Sequence, residues 1–456
     1  MRKGKWLLLV STLVGILLAA CRRGSEVTPV ATPVPTPAIS SAVDEMITIR
    51  FAVWEQERIE NLYDASIQAF ETANPGLRVE LVSIEEILGI TNYCNLQPED
   101  LQSDAGGLII CNPWPDNWEQ SLCTADVVSM LGYAGVPMGL ARDLTPFIEA
   151  DSTFQPEDFW PNALEFYKYD GGIWALPIRV SPELLIFYDK NVLDAAGVPY
   201  PQPGWTWDEF LAKAQALTVR KGDTVTRWGF VQQWPTPLPF VEGQVGPLFD
   251  FTRNPPAPRF NQSEVIKAVR RYADLFTTEQ VAPPYFEDWE TVNRLIAEGQ
   301  AAMWADTLSS LWQWHSPERN IGLVPLPGAT PDAQTTSLLP SGVYMTTGTA
   351  HPDAAWRWMV FLTRQFIPER VFITGIPARR SVTEANGFWR TLDEEIAGVL
   401  QHAVTHSRPS RLWPIGMGRD TQQRSETDKG FDAAIAAILR GEKSVEEAMI
   451  ETQGWA

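Results

Sequence analysis

Ile173-Trp174-Ala175-Leu176-Pro177, Leu184-Leu185-Ile186-Phe187-Tyr188-Asp189-Lys190 and Thr206-Trp207-Asp208-Glu209 all lie between Gly172 and Leu217, and this stretch decides the fold. The apolar run before Asp189 has the length and composition of a buried strand ending in a turn. Asn191 to Ala196 reads as a short helix stopped by Gly197, and Pro199 to Gly204 as loop. Thr206 and Glu209 stand three apart as a capping box, with the hydroxyl reaching forward and the carboxylate reaching back, so a helix starts there and runs through Leu217.

Toward the N-terminus, Ile47 to Val53 alternates as a strand and Ile59 to Ala73 has helical spacing until Asn74-Pro75-Gly76 stops it. Leu77 to Val82 is a second strand, and such a strand-helix-strand unit closes as a right-handed parallel crossover. Leu108-Ile109-Ile110 is a third, buried candidate, ending at Cys111-Asn112-Pro113-Trp114-Pro115-Asp116. Ligands of open α/β sheets sit beyond the carboxyl ends of strands. That rule puts Trp54, Glu55, Trp114 and Asp116 on one rim.

The first residues address the chain. Arg2, Lys3 and Lys5 precede an apolar run from Trp6 to Ala20, shorter than the ~20 residues of a spanning helix and followed at once by Cys21. Residues 1–20 read as a signal peptide. The plain alternative is a secretory signal with a chance cysteine. Residues 21–45, with their Thr-Pro and Ser-Ser pairs, read as an extended spacer.

Nineteen tryptophans stand out, because an indole serves a core, an interface or a platform for a sugar ring. The formal charge is −20, and loss of the three basic residues with the signal peptide makes it −23. So acidic a body excludes nucleic-acid binding, which depends on Lys and Arg neutralising phosphates. Among Cys94, Cys111 and Cys123 two can pair, leaving one thiol over. No cofactor and no metal are expected, since the cysteines lack ligand spacing and His402 and His406 lack a third ligand.

The order of these segments resembles the extracellular solute-binding proteins of ABC importers, family 1, the maltose-binding-protein-like group. Glu298-Gly299-Gln300-Ala301-Ala302-Met303, Ile321 to Pro327, Ser341 to Met345, His351 to Trp356, Gly375-Ile376-Pro377-Ala378-Arg379 and the capped helix at Ser444 to Ala448 continue the likeness from residue 46 to 452. Tyr188-Asp189 departs from the group's Tyr-Asn, and residues 117–139 look like an insertion.

The resemblance implies an α/β, two-lobed periplasmic-binding-protein type II fold with a ligand cleft between hinge-linked lobes. It assigns 46–177 and 328–372 to lobe one and 178–323 and 377–456 to lobe two. Small residues before Cys21 resemble a lipobox, so Cys21 is the expected site of lipidation. The protein is then held extracytoplasmically on the outer face of the cytoplasmic membrane, touching it through the lipid alone.

Sugars combine hydroxyl rims with apolar faces, so a sugar cleft needs flat aromatics beside carboxylates and amides. The expected ligand residues are Trp54, Glu55, Trp114, Asp116, Arg179, Gln233, Trp234, Trp304, Asp306, Tyr344 and Arg379. Trp304 is also expected to be removable without loss of the fold. The expected partners are a carbohydrate or related polyol, a pair of permease subunits and their cytoplasmic ATPase, with the binding protein a monomer. The rival functions are a secreted carbohydrate hydrolase and an importer component for a polyamine or a phosphorylated polyol. Acidic residues are plentiful, yet no nucleophile elbow, phosphate loop or zincin motif accompanies them. In membrane fractionation, the Cys21→Ser variant is expected in the soluble fraction and the unaltered chain with the membranes; a variant that still sediments would remove the lipid anchor.

Overall fold

In the computed structural model, which describes residues 46–89, 117–129, 135–136, 138–232, 237–250, 257–284, 289–314, 319–366, 375–408 and 421–454, two large sheets organise the chain. The first begins with β1 (Ile47–Val53), β2 (Leu77–Ser83), β3 (Val127–Val128) and β4 (Leu176–Pro182). Two residues later the second begins, with β5 (Leu185–Asp189), β6 (Val219–Lys221), β7 (Thr224–Gln232), β8 (Ala301–Asp306) and β9 (Ile321–Pro325). The chain then returns to the first sheet for β10 (Leu338–Met345) and β11 (Ile376–Pro377). The orders are β11-β4-β10-β3-β1-β2 and β9-β5-β8-β7-β6. The expected two-lobed α/β fold is present.

Local sequence explains most of these elements. β1 and β2 pair in parallel from Ile47 opposite Leu77 to Val53 opposite Ser83, joined by α1 (Asp64–Ala73). The helix expected from Ile59 is split, because Asn61 takes a φ of 54° and ends the short helix Glu55–Ile59. All five residues of β5 are buried, as the unbroken apolar run requires. Asp189 in place of Asn is no handicap there. Its carboxylate accepts from the amides of Asn191 (3.0 Å) and Val192 (3.2 Å), capping the next helix as Asn would. The capping box at Thr206 starts α2 (Trp207–Leu217), with Glu209 Oε2 accepting from the Thr206 amide at 2.7 Å. The candidate strand Leu108 to Ile110 lies outside the described residues.

Aromatic side chains fill both cores. On one face of the first sheet, Phe51 and Phe70 meet Trp358 of α4 (whose place in the order follows α3, Leu238–Val245; α4 is Pro352–Thr363) edge to face at 5.7 and 5.1 Å. In the second lobe Trp205, Trp207, Phe230 and Phe240 surround Phe210. α5 (Glu394–Thr405) packs against both β9 and β4, so it backs the two sheets together. α6 (Thr421–Leu439) and α7 (Val445–Gln453) close the second core.

The sheets do not divide the chain at the bounds expected for the lobes. β4 belongs whole to the first sheet, and Glu183–Leu184 separates it from β5. Ile376 and Pro377 also join the first sheet, pairing with Val180 and Arg179, and the Trp160 indole donates to Pro377 O at 2.9 Å. Backbone pairing decides membership here, and it is not legible in a short Ile-Pro strand.

Gly229 marks where α2 crosses β7: a Cβ there would stand 1.8 Å from the Ala214 carbonyl oxygen. Backbone cannot yield as a flexible side chain does, so Gly229→Ala is expected to cost about 1–3 kcal/mol or more. Urea unfolding measures this, and a cost near zero would disprove the close approach.

Candidate functional site

The topology builds a cleft. β1 to β4 run in the same direction; Trp54, Ser83 and Ser129 follow the ends of β1 to β3 on one rim, and β4 begins level with that rim, Leu176 opposite Val343, and runs on beyond it to Pro182. In the second sheet β7 and β8 are parallel and end at Gln232 and Asp306, where β5 starts and β9 ends. Only Glu183 and Leu184 separate β4 from β5. The first sheet therefore passes into the second through the outer end of β4.

On the first rim, Trp54 is half-buried and precedes the helix Glu55–Ile59, its amide donating to Glu57 Oε2 at 3.3 Å. The Glu55 amide donates to Glu85 Oε2 at 2.9 Å. The Glu55 carboxylate takes both Nε (2.7 Å) and Nη2 (2.6 Å) of Arg58, which holds it below the usual carboxylate range. Behind them, Arg179 Nη2 reaches Glu57 Oε1 at 3.4 Å, and the Tyr63 hydroxyl donates to the same oxygen at 3.3 Å. Burial pushes the Glu57 carboxyl up despite Arg179, and burial likewise keeps the Tyr63 phenol protonated. Arg179 Nε and Nη1 are buried and have no acceptor among the described residues. They border a small cavity lined by Tyr63, Ile178, Gln365, Gly375 and Pro377, with room for about one water.

Trp54 belongs to a larger aromatic set. Trp118, Trp174, Phe166, Tyr169 and Tyr344 pack with it against Ala52, Ile84 and Val128, and all remain half-buried. Tyr344 meets Tyr167 edge to face at 5.7 Å, and the Trp174 indole donates to Tyr169 O at 2.8 Å. Residue alternation explains the grouping: Ala52 and Trp54 share the face of β1 opposite to Phe51 and Val53. Thus Trp54, Glu55, Arg179 and Tyr344 are brought to the first rim and its flank. Trp118, Trp174, Glu57 and Glu85 join them without having been expected; for the two tryptophans the signal was the indole excess, but nothing in their spacing placed them.

Three expected ligand residues lie elsewhere. Trp304 is fully buried, stacked on Phe187 at 5.9 Å, edge-on to Trp314, with the Arg319 guanidinium over its ring at 5.4 Å. β8 lies between β5 and β7 and all six of its residues are buried, so a strand-end tryptophan there is core. Asp306 is also fully buried and accepts from the Thr307 amide, Ser310 Oγ and Trp314 Nε1, each at 2.7 Å. It caps a turn. Arg379 is 1% exposed, lies over the Phe159 ring at 4.1 Å, and donates to Thr363 Oγ1, Phe154 O, Gln155 O and Asp158 Oδ2. Burial has pushed its pKa down to about 10, and its donors staple the 154–158 loop rather than meet solvent. Trp114, Asp116, Gln233 and Trp234 lie outside the described residues.

No group of His, Cys, Asp or Glu among the described residues could hold a metal ion, and none of the described helices is long and apolar enough to cross a membrane. Cys123 is a half-buried free thiol whose pKa burial raises.

The family model described as bacterial extracellular solute-binding protein matches residues 119–365, more than half of the chain. The chain belongs to that family. Solved structures with the same fold include an ABC substrate-binding protein from Listeria monocytogenes in complex with cycloalternan, 17% identical with a TM-score of 0.63, covering 90% of this chain and 98% of that one. The sugar-binding protein MalE from Xanthomonas citri is 20% identical with a TM-score of 0.63, over 89% of this chain and 95% of its own. UgpB from Mycobacterium tuberculosis, in complex with glycerophosphocholine, is 16% identical with a TM-score of 0.62, over 89% and 96%. Membership explains the two-lobed architecture of this solute-binding protein and groups the chain with extracellular solute-binding proteins.

Within this solute-binding protein, Trp304→Ala should act on stability, contrary to the expectation of an intact fold. Emptying a packed indole site costs about 3–5 kcal/mol. Denaturant unfolding reads the loss, and a change below about 1 kcal/mol would mean the ring is not core.

Proposed function

We propose that this protein is the substrate-binding component of an ABC importer, that it captures a carbohydrate or related polyol between its lobes, and that it hands the ligand unaltered to a membrane permease driven by an ATPase. One observation carries the reading: half-buried indole and phenol rings, Trp54, Trp118, Trp174 and Tyr344, gather at and beside the rim that also carries Glu55 and Glu85. Flat apolar faces beside hydroxyl-binding carboxylates suit sugar rings. Family membership and the sugar ligands of several relatives support it. We further propose that the chain is a monomer anchored by lipid at Cys21, and that each lobe follows its sheet. The ligand-binding roles of Trp114, Asp116, Gln233 and Trp234 belong to the same proposal.

A second reading is favoured by Arg179. Two buried guanidinium donors without an acceptor suit an anionic group, so a phosphorylated polyol is the competing ligand class. Hydrolysis would need two carboxylates facing one glycosidic bond. On this rim the Arg58 pair holds the Glu55 carboxyl ionised, so it can accept from hydroxyls but is a poor general acid.

A thermal-shift and calorimetric series with maltotriose, tagatose and glycerophosphocholine separates these readings. Stabilisation by a sugar is expected, with the sugar recovered intact and Trp54→Ala weakening it by about tenfold, or 1.4 kcal/mol. Response to glycerophosphocholine alone would replace the sugar reading. Release of reducing ends would refute a binder.

A further inference from the structure

Away from the aromatic rim, a buried ion cluster sits where the passages between the lobes meet. Glu183 lies on the crossing from β4 to β5, Thr336 and Ser337 lie just ahead of β10 on the return, and Arg408 follows α5 on the way to α6. Their backbones run side by side. The Glu183 amide donates to Ser337 O and the Arg408 amide donates to Thr336 O, each at 2.9 Å, and Ser337 and Arg408 form a parallel bridge. When the lobes turn about the hinge, these lengths of chain must twist against one another.

The side chains in this ladder are unevenly matched. Arg408 is 4% exposed, and its Nη1 pairs with Glu242 Oε2 of α3 at 2.5 Å. Its Nε and Nη2 are buried without an acceptor among the described residues. Glu242 is already engaged on both oxygens, since Oε1 accepts from the Leu248 amide at 3.1 Å. The nearby carboxylate with capacity is Glu183. Its Oε2 accepts from Ser337 Oγ, and it stands outside ion-pair reach of Arg408 although the guanidinium's charge acts on it. Burial pushes the Glu183 carboxyl up, Ser337 and Arg408 pull it down, and Glu242 adds to the rise. A buried cation with two idle donors and a half-buried carboxylate held, among the described residues, by a hydroxyl are an unfavourable pair to keep apart.

We propose that Arg408 is a positioning residue of the hinge that changes partners as the lobes turn: in the arrangement described here Glu183 rests on Ser337, and in the other its carboxylate takes Arg408 Nε and Nη2. The inference rests on the capture reading above, in which the lobes move. Neither residue needs to touch ligand. Affinity follows because a ligand that prefers one arrangement binds in proportion to its population.

The test needs no ligand. In the ligand-free full-length protein carrying one dye on each lobe, single-molecule energy transfer measures the populations of interlobe distance. Glu183→Gln keeps an acceptor for Ser337 and removes the charge, and Arg408→Lys removes the idle donors. Each is expected to enrich the interlobe distance of the present arrangement by about threefold or more, and the double variant no further than either alone. Ser337→Ala frees Glu183 and is expected to move the populations the opposite way. A merely structural cluster would lower the melting temperature without this reversal of sign. Shifts in the same direction for Glu183→Gln and Ser337→Ala, additive shifts in the double variant, or unchanged distances in every variant would overturn the proposal. If Arg408→Lys does not fold, the contrast between Glu183→Gln and Ser337→Ala decides. A failed sugar screen leaves this result standing, and a failed hinge leaves the sugar reading standing.

Discussion

Two residues, Glu183 and Leu184, join the last parallel strand of one sheet to the first strand of the next, and this short crossing constrains everything around it. A link so short cannot carry β5 far from the end of β4, so the two sheets are joined at the outer end of that strand. The return from β9 to β10 passes the same place, tied by the Glu183 amide to Ser337 O. On the far side α5 packs on both sheets, and Glu395 of α5 accepts from the Tyr188 hydroxyl at 2.9 Å and pairs with Lys190.

The indole excess divides by topology rather than by chemistry. Where a strand is covered on both faces, as β8 is between β5 and β7, Trp304 packs into core. Where one face of the first sheet leaves its aromatic neighbours half-covered, Trp54, Trp118 and Trp174 keep surface for a flat apolar partner. The same residue type thus packs into core in one place and stays half-exposed in another. Burial, which depends on what folds over each strand, makes the difference.

Charged groups divide in the same way. Arg379 and Asp306, buried among backbone and hydroxyl partners, pin a loop and cap a turn. Such buried charges are tolerated because nearly every donor or acceptor is matched, and they specify geometry more than they add stability. Arg179 and Arg408 are the exceptions, each with two buried donors left over. One stands behind the first rim and the other on the hinge, the two places where a solute-binding protein has use for unsatisfied polarity.

Sequence alone determined the local elements whose causes are local: the buried β5 run, the capping boxes at Thr206 and Ser444, the parallel β1-α1-β2 unit, and through their order the family and its two-lobed fold. It also put Trp54 and Glu55 at the carboxyl end of β1, because a strand recognised from its sequence fixes the residues that follow it. Tertiary structure alone decided which strand ends were exposed. It withdrew Trp304, Asp306 and Arg379 into cores and staples, placed residues 178–182 and 376–377 in the first sheet, and paired Glu242 with Arg408 beside Glu183. Burial and long-range pairing are sums over residues distant in the chain, so no single stretch of sequence contains them.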